Sequence, residues 1–314
     1  MITGIHHLTA IASDPQANLD FYAGTLGLRL VKLTINYDDL GTYHLYYGDG
    51  LGRPGTILTF FPWPGAKRGR IGTGQVVATA LSVPLGAVAG FWRERLAARG
   101  VPFEEHSTSH GTSVSFADPD GLPLILTEVP DDSRPADNGA ADVLQAFAIR
   151  GMDSVTLQVA HAGATLELLT ERMGFDVSED GDGRFFVGSE PSGNAVYVHE
   201  AEVGDVRGLP GAGTVHHVAF RLPDDAAQAT WHRDLLALGY HVSPVMDRQY
   251  FHSIYYREPN GILFELATDP PGFAEDGETA ETLGSKLQLP DWLEEQRAAV
   301  EARLPKLRLP ERAA

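Results

Sequence analysis

Four times along the chain a helix-period stripe of apolar residues runs into a glycine followed by another apolar residue. Leu19, Tyr22 and Leu26 precede Gly27-Leu28, and Val88, Trp92 and Leu96 precede Gly100-Val101. Leu166, Leu169 and Met173 precede Gly174-Phe175, and Trp231, Leu235 and Leu238 precede Gly239-Tyr240. These spacings put each set on one helix face. A glycine just beyond the stripe suits the left-handed position that stops a helix. Farther on in each case comes a turn signal: Arg53-Pro54-Gly55, Asp118-Pro119-Asp120-Gly121, Glu190-Pro191-Ser192-Gly193 and Glu258-Pro259-Asn260-Gly261. Proline sets φ and glycine supplies the positive-φ position, so these segments join strands. Apolar runs of strand length follow at Thr56–Phe61, Leu122–Thr127, Ala195–Val198 and Ile262–Ala267. Similar runs precede the helices at Ile5–Ile11, Val76–Val83, Ser154–Val159 and Val215–Leu222.

Two more strands fit between each helix and its turn, for example Tyr43–Tyr47 and Ser253–Tyr256. The repeat is therefore a βαβββ unit used four times, which predicts an α+β fold with helices on one side of curved sheets. The polar stretch Pro130–Ala148, with Asn138-Gly139, reads as a linker between the second and third units. It predicts two pseudo-symmetric domains of two units each, residues 1–135 and 149–270, followed by a tail, 271–314. In the tail, Asp291 reads as the cap of a helix carrying Trp292, Leu293, Gln296, Val300 and Leu304, closed by Pro305.

The chain has 314 residues, no cysteine and a formal net charge of −18. The missing cysteines exclude disulfides, thiolate metal sites and cysteine nucleophiles. The negative charge argues against nucleic acid or an anionic membrane as partner. Lys67-Arg68-Gly69-Arg70 is the one compact basic cluster and reads as a solvated loop. No apolar run is long enough to span a bilayer, and Met1–Ala12 has no secretory pattern, so a cytoplasmic protein is expected.

Comparing the units position by position exposes the chemistry. The first strand of unit one reads Ile5-His6-His7-Leu8-Thr9 and that of unit four Val215-His216-His217-Val218-Ala219. Unit three has Met152-Asp153-Ser154 there, and unit two has no histidine. In the last strand unit four alone has a carboxylate, Glu265, where the others have Thr59, Ile125 and Tyr197. Period-two alternation puts His217 and Glu265 on one face and His216 on the other, and the repeat places His7 and Thr9 on the same face in unit one. A lone strand histidine is usually a hydrogen-bonded structural residue. Two doublets at equivalent positions plus one carboxylate instead suggest the 2-His-1-carboxylate facial triad of non-haem Fe(II) sites.

The doublets, the four units and the stretch Glu258-Pro259-Asn260-Gly261-Ile262-Leu263-Phe264-Glu265 resemble the vicinal oxygen chelate superfamily. Within it, the chain is most similar to type I extradiol ring-cleaving dioxygenases of the hydroquinone 1,2-dioxygenase branch. Ser154 stands where ordinary catechol-type enzymes have a ligand, and His7 supplies it instead. The resemblance implies Fe(II), or Mn(II) in its place, held by His7, His217 and Glu265, with a phenolic ring and O₂ as substrates. It implies supporting roles near the metal for Arg248, Tyr255, Thr9, His216 and His6, and a homo-oligomer. Surface pairing of Arg248 with Asp247, and core packing of Tyr255, are the plainer readings of those two. His44 is a candidate for the pocket wall, and His252 reads as an exposed loop residue. His106, His110, His161, His199, His232 and His241 fit no repeat and read as structural or exposed. Two alternatives stay open: a glyoxalase-like metal-dependent lyase or isomerase, which would use a second carboxylate at the equivalent positions where Thr59 and Ile125 stand, and a metal-free ligand-sequestering module.

Overall fold

In the computed structural model the described residues are 2–108, 111–136, 142–180, 184–188 and 195–310, with side chains omitted at 178–180 and 184–188. The turn at 190–193 and His110 lie outside them.

The apolar stripes form the helices expected of them. In unit one the helix Pro15–Leu19 continues into a wider π-helical stretch, Asp20–Thr25. Asp14 caps it by accepting from the backbone N–H groups of Gln16 and Ala17, which would otherwise lack partners. Gly27, at φ 72°, ends it. Units two and three also mix α and π turns, at Val88–Ala98 and Ala162–Arg172. Unit four has an unbroken helix, Asp225–Ala237, capped by Asp224. Its stripe is narrower than expected: Leu235 is buried, but Leu238 lies beyond the last turn and is exposed.

The strands form two eight-stranded mixed sheets. The first runs Met246–Asp247, Phe251–Arg257, Leu263–Pro271, Thr214–Leu222, Ile5–Ala12, Ile57–Pro62, Asp39–Gly48 and Arg29–Asn36. Thus unit four joins unit one, and the second sheet joins unit three to unit two in the same order. The halves 1–135 and 149–270 therefore do not each close a sheet; each gives one unit to both. Strand edges explain why two units must join. In each unit the first strand pairs in parallel with the last and leaves its other edge unpaired, and an open edge of backbone donors and acceptors demands a partner. Ile5–Ala12 and Thr214–Leu222 satisfy one another antiparallel, bringing the two histidine doublets side by side although about two hundred positions separate them.

One continuous core fills the space between the sheets and takes in the helices' buried stripes, among them Tyr22, Trp92, Leu169 and Leu235. Residues of the helix and of its stop reach across it: Phe21 meets Phe116 of unit two, and Phe175, just past Gly174, meets Phe220 of unit four. The tail packs on unit one, where Leu33 C=O accepts from Gln288 N–H and Tyr43 OH donates to the Pro305 carbonyl. Its helix departs from expectation. Pro290 precedes the first turn, Asp291 is already helical without capping, and Gln296 divides Asp291–Glu294 from Arg297–Glu301. Leu293, Val300 and Leu304 are buried as expected, whereas Trp292 is largely exposed. Among the described residues no helix is long and apolar enough to cross a membrane.

Candidate metal centre

The central strand pair carries two β-bulges, and the doublets sit on them. Opposite each other are Ile5 and Phe220, then His7 and Ala219, so His6 is an extra residue; farther along, Thr9 faces His217 and Ala10 faces Val215, so His216 is another. A bulge breaks strict alternation and bends the strand, which lets both residues of a doublet work at one place. Period-two reasoning pointed His6 and His216 away from the cup. The structure instead gives each a hydrogen bond to its neighbour, Nδ1 to Nδ1, at 2.9 Å for His6–His7 and 2.8 Å for His216–His217. With Nδ1 so engaged, Nε2 of His7 and of His217 is the free nitrogen, and both aim at the same point.

That point is shared with Glu265. On the parallel strand beside Thr214–Leu222, Glu265 pairs in register with Ala219. Its Oε2 lies 2.8 Å from His217 Nε2 and 3.3 Å from His7 Nε2, and the two nitrogens are 3.4 Å apart. Donors about 2.1 Å from a small divalent ion at right angles to one another stand roughly 3 Å apart, so the three atoms are spaced as three ligands of one ion would be. Despite its proximity to both rings, Glu265 Oε2 has no aligned hydrogen-bond donor and is fully buried. An orphaned carboxylate oxygen facing two imidazole nitrogens is costly unless a cation lies between them. Ser253 Oγ donates to the other oxygen, Oε1, and fixes the carboxylate plane. Among the described residues, His7, His217 and Glu265 are the one group of three such side chains able to hold a metal ion.

The electrostatics suit the same role. Burial pushes the Glu265 carboxyl upward, but His7 and His217 outweigh it and hold the group well below the usual carboxylate range. Burial lowers His217 even against the raising influence of Glu265. Burial also drives His6 well down and His216 down to about 3. A carboxylate held ionised and an imidazole at His217 held toward its neutral form suit ligation, which needs deprotonated donors.

Above it a cavity of about 270 Å³ opens outward, walled by Tyr46, Phe61, Trp63, Phe251 and Leu263. His7, His44, His216, His217, Tyr255 and Arg248 also line it. The Tyr255 ring stands edge-on to His217, 5.6 Å between centroids, and its OH accepts from Arg248 Nε at 3.2 Å. Arg248 thus turns to Tyr255 and Asp38, with no bond to Asp247. Across the pseudo-twofold axis, Thr59 occupies the register position of Glu265, opposite Thr9. Its hydroxyl bonds Thr9 at 2.9 Å and His44 Nε2 at 2.8 Å, and His44 Nδ1 bonds Tyr46 OH.

Thr9, His6, His216, Arg248 and Tyr255 therefore all gather around the three candidate ligands. His252 does not: it lies in a strand, pairs with Asp225 at 2.7 Å and is partly exposed. Ser253 and Tyr46 belong to the site without having been singled out from the sequence. Ser253 was detectable as the residue two before Tyr255, hence on its face. The second sheet repeats the scaffold, including bulges at Val77 and Asp153, but Ala78 and Ser154 stand where His7 and His217 do.

Comparison with known proteins agrees with this architecture. The family model described as Glyoxalase/Bleomycin resistance protein/Dioxygenase superfamily matches residues 4–126 and 151–266. A Bacillus subtilis protein provisionally named ring-cleaving dioxygenase MhqO is 47% identical over 305 residues, covering 95% of this chain and 94% of that one. The chlorohydroquinone/hydroquinone 1,2-dioxygenase of Sphingobium indicum is 36% identical over 311 residues, covering 93% of each. A crystal structure of a provisionally named dioxygenase from Bacillus subtilis superposes with a TM-score of 0.93 at 46% identity, covering 99% of each chain.

Proposed function

The chain belongs to the Glyoxalase/Bleomycin resistance protein/Dioxygenase superfamily, and from that premise we propose that it is a ring-cleaving dioxygenase of the extradiol type. In this reading it depends on non-haem Fe(II), or Mn(II) in its place, and opens hydroquinone or a related phenol with O₂. The observation that carries the reading is the one-sided ligand set. His7, His217 and Glu265 converge from one side, and the other side faces an aromatic-walled cavity. Thr59, at the position a second carboxylate would need, is held by Thr9 and His44. That favours open coordination positions over the closed set of a glyoxalase-like lyase. The relatives' names support the same reaction class.

When bound, the ion would give a phenolic oxygen and O₂ adjacent places and a route for electrons between them. The rest falls to the protein. The walls Phe61, Trp63 and Phe251 hold a ring by its faces and exclude water. Tyr255 keeps its proton, because burial and then Glu265 push its phenol up. Arg248, bonded to that phenol, sets its direction. Tyr255 OH therefore serves as a held proton beside the ring, and His216, whose ring lines the cavity, holds His217 in place through Nδ1.

The experiment is anaerobic reconstitution with Fe(II) or Mn(II) followed by oxygen-uptake assays on hydroquinones and catechols. The reading expects one O₂ consumed per ring opened, with hydroquinones preferred at least about tenfold. Bound metal without uptake on any phenol would contradict it and favour the lyase.

A further inference from the structure

At the open end of the cavity two loops from opposite ends of the chain meet. The two-residue turn Tyr37-Asp38 joins the strands Arg29–Asn36 and Asp39–Gly48 of unit one. It touches the Arg248-Gln249 loop of unit four, where Tyr37 OH donates to Gln249 Oε1 at 2.8 Å. Beside that bond, Asp38 Oδ2 lies 3.3 Å from a terminal nitrogen of Arg248. Both side chains line the cavity, Arg248 at 17% exposure and Asp38 at 66%. Histidines apart, they are the one basic and the one acidic side chain among those lining it. Arg248 is the cation a ring-borne anion would seek, and Asp38 already pairs with it.

We infer that Asp38 sets the charge of the ring this cavity accepts: by pairing with Arg248 it cancels the wall's single cation, so that dihydroxybenzenes with uncharged substituents enter and those bearing a carboxylate are refused. The inference rests on the ring-cleavage reading and names the substrate class within it. A ring carboxylate reaching for Arg248 would have to displace Asp38 or lie against a like charge, and specificity is commonly built from such a repulsive element. The net charge of −18 works in the same direction, since it disfavours approach of anions to the mouth. The apolar ring faces of Phe61, Trp63 and Phe251 remain available to neutral substituents. Because Asp38 is largely solvated, the discrimination is modest and screened by salt.

The test compares hydroquinone with 2,5-dihydroxybenzoate on the Fe(II)-loaded full chain without oxygen, so that binding is read without turnover, through tryptophan fluorescence with Trp63 in the cavity wall. The readout is the ratio of the two affinities. Asp38→Asn is expected to shift that ratio toward the carboxylate about three- to tenfold at low salt, with a smaller shift at high salt. Adding Arg248→Met to Asp38→Asn is expected to remove the gain. An unchanged ratio in Asp38→Asn, or a gain that survives loss of Arg248, overturns the inference while hydroquinone binding leaves the ring-cleavage reading standing. Failure of the unaltered protein to bind either ring overturns both.

Discussion

Each doublet divides its labour between neighbours: the second histidine turns Nε2 to the shared point, and the first holds it there through Nδ1. Partners of this kind fix tautomer and ring direction, and losing one commonly lowers metal affinity 10- to 100-fold. His6→Ala and His216→Ala are therefore expected to weaken metal retention by about that range without abolishing it, as read by competition with a chelator. Retention equal to that of the unaltered chain would show that the Nδ1 contacts do not matter. Glu265 was legible in the sequence because it stands between Phe264 and Leu266, and His217 because unit one repeats its doublet at the equivalent position. The work of His6 and His216 was not, because a bulge leaves no mark in the hydrophobic pattern. For Ser253 the reason is different: its place two before Tyr255 puts it on the same face, but a serine in a strand is common, and its bond to Glu265 Oε1 shows only in the fold.

Between elements, register decides which residues meet. Glu265 stands beside Ala219 as Thr59 stands beside Thr9, so Thr59→Glu would set a second carboxylate on the opposite side of the same point. The expected outcome is slower metal loss to a chelator together with oxygen uptake at least about tenfold lower, the extra ligand occupying a place that the reaction needs. Uptake at the original rate would contradict the open-position account. The four βαβββ units were legible because helix stripe, stop glycine and turn recur together. The π turns at Asp20–Thr25, Val88–Trp92 and Leu168–Arg172 were not, since an apolar stripe looks much the same at either helical pitch. The tail's break at Gln296 follows no proline or glycine, and the helical stripe Leu293, Val300 and Leu304 conceals it.

Across the whole molecule, the pairing of unit one with unit four and unit two with unit three was hidden, because which free edges join depends on contacts far apart in the chain. Two features outside the centre test how this architecture is held. Lys32 is fully buried and binds Asp276, at 2.7 Å, and Glu278, tying residues 276–278 to the edge strand of the first sheet. Lys32→Met would leave two buried carboxylates without their cation and should lower unfolding stability by about 3–5 kcal/mol, measured by denaturant titration. Asp118, which accepts from Tyr22 OH, is pushed up to about 6 mainly by burial. Because its folded value lies above the unfolded one near 4, the folded chain holds the proton longer, and stability falls as pH rises through about 4 to 6. Asp118→Asn mimics the protonated form and should remove this loss, on the order of 2 kcal/mol, from the difference between unfolding curves at pH 4 and pH 7. The central claim is also a whole-molecule one: residues 7, 217 and 265 grip one ion. Its most direct test is elemental analysis after anaerobic Fe(II) loading and gel filtration of the unaltered chain and of His7→Ala, His217→Ala, Glu265→Ala and His161→Ala. The account expects about one iron per chain in the unaltered protein and in His161→Ala, and less than about a tenth of that in the other three; equal iron in all five would contradict it.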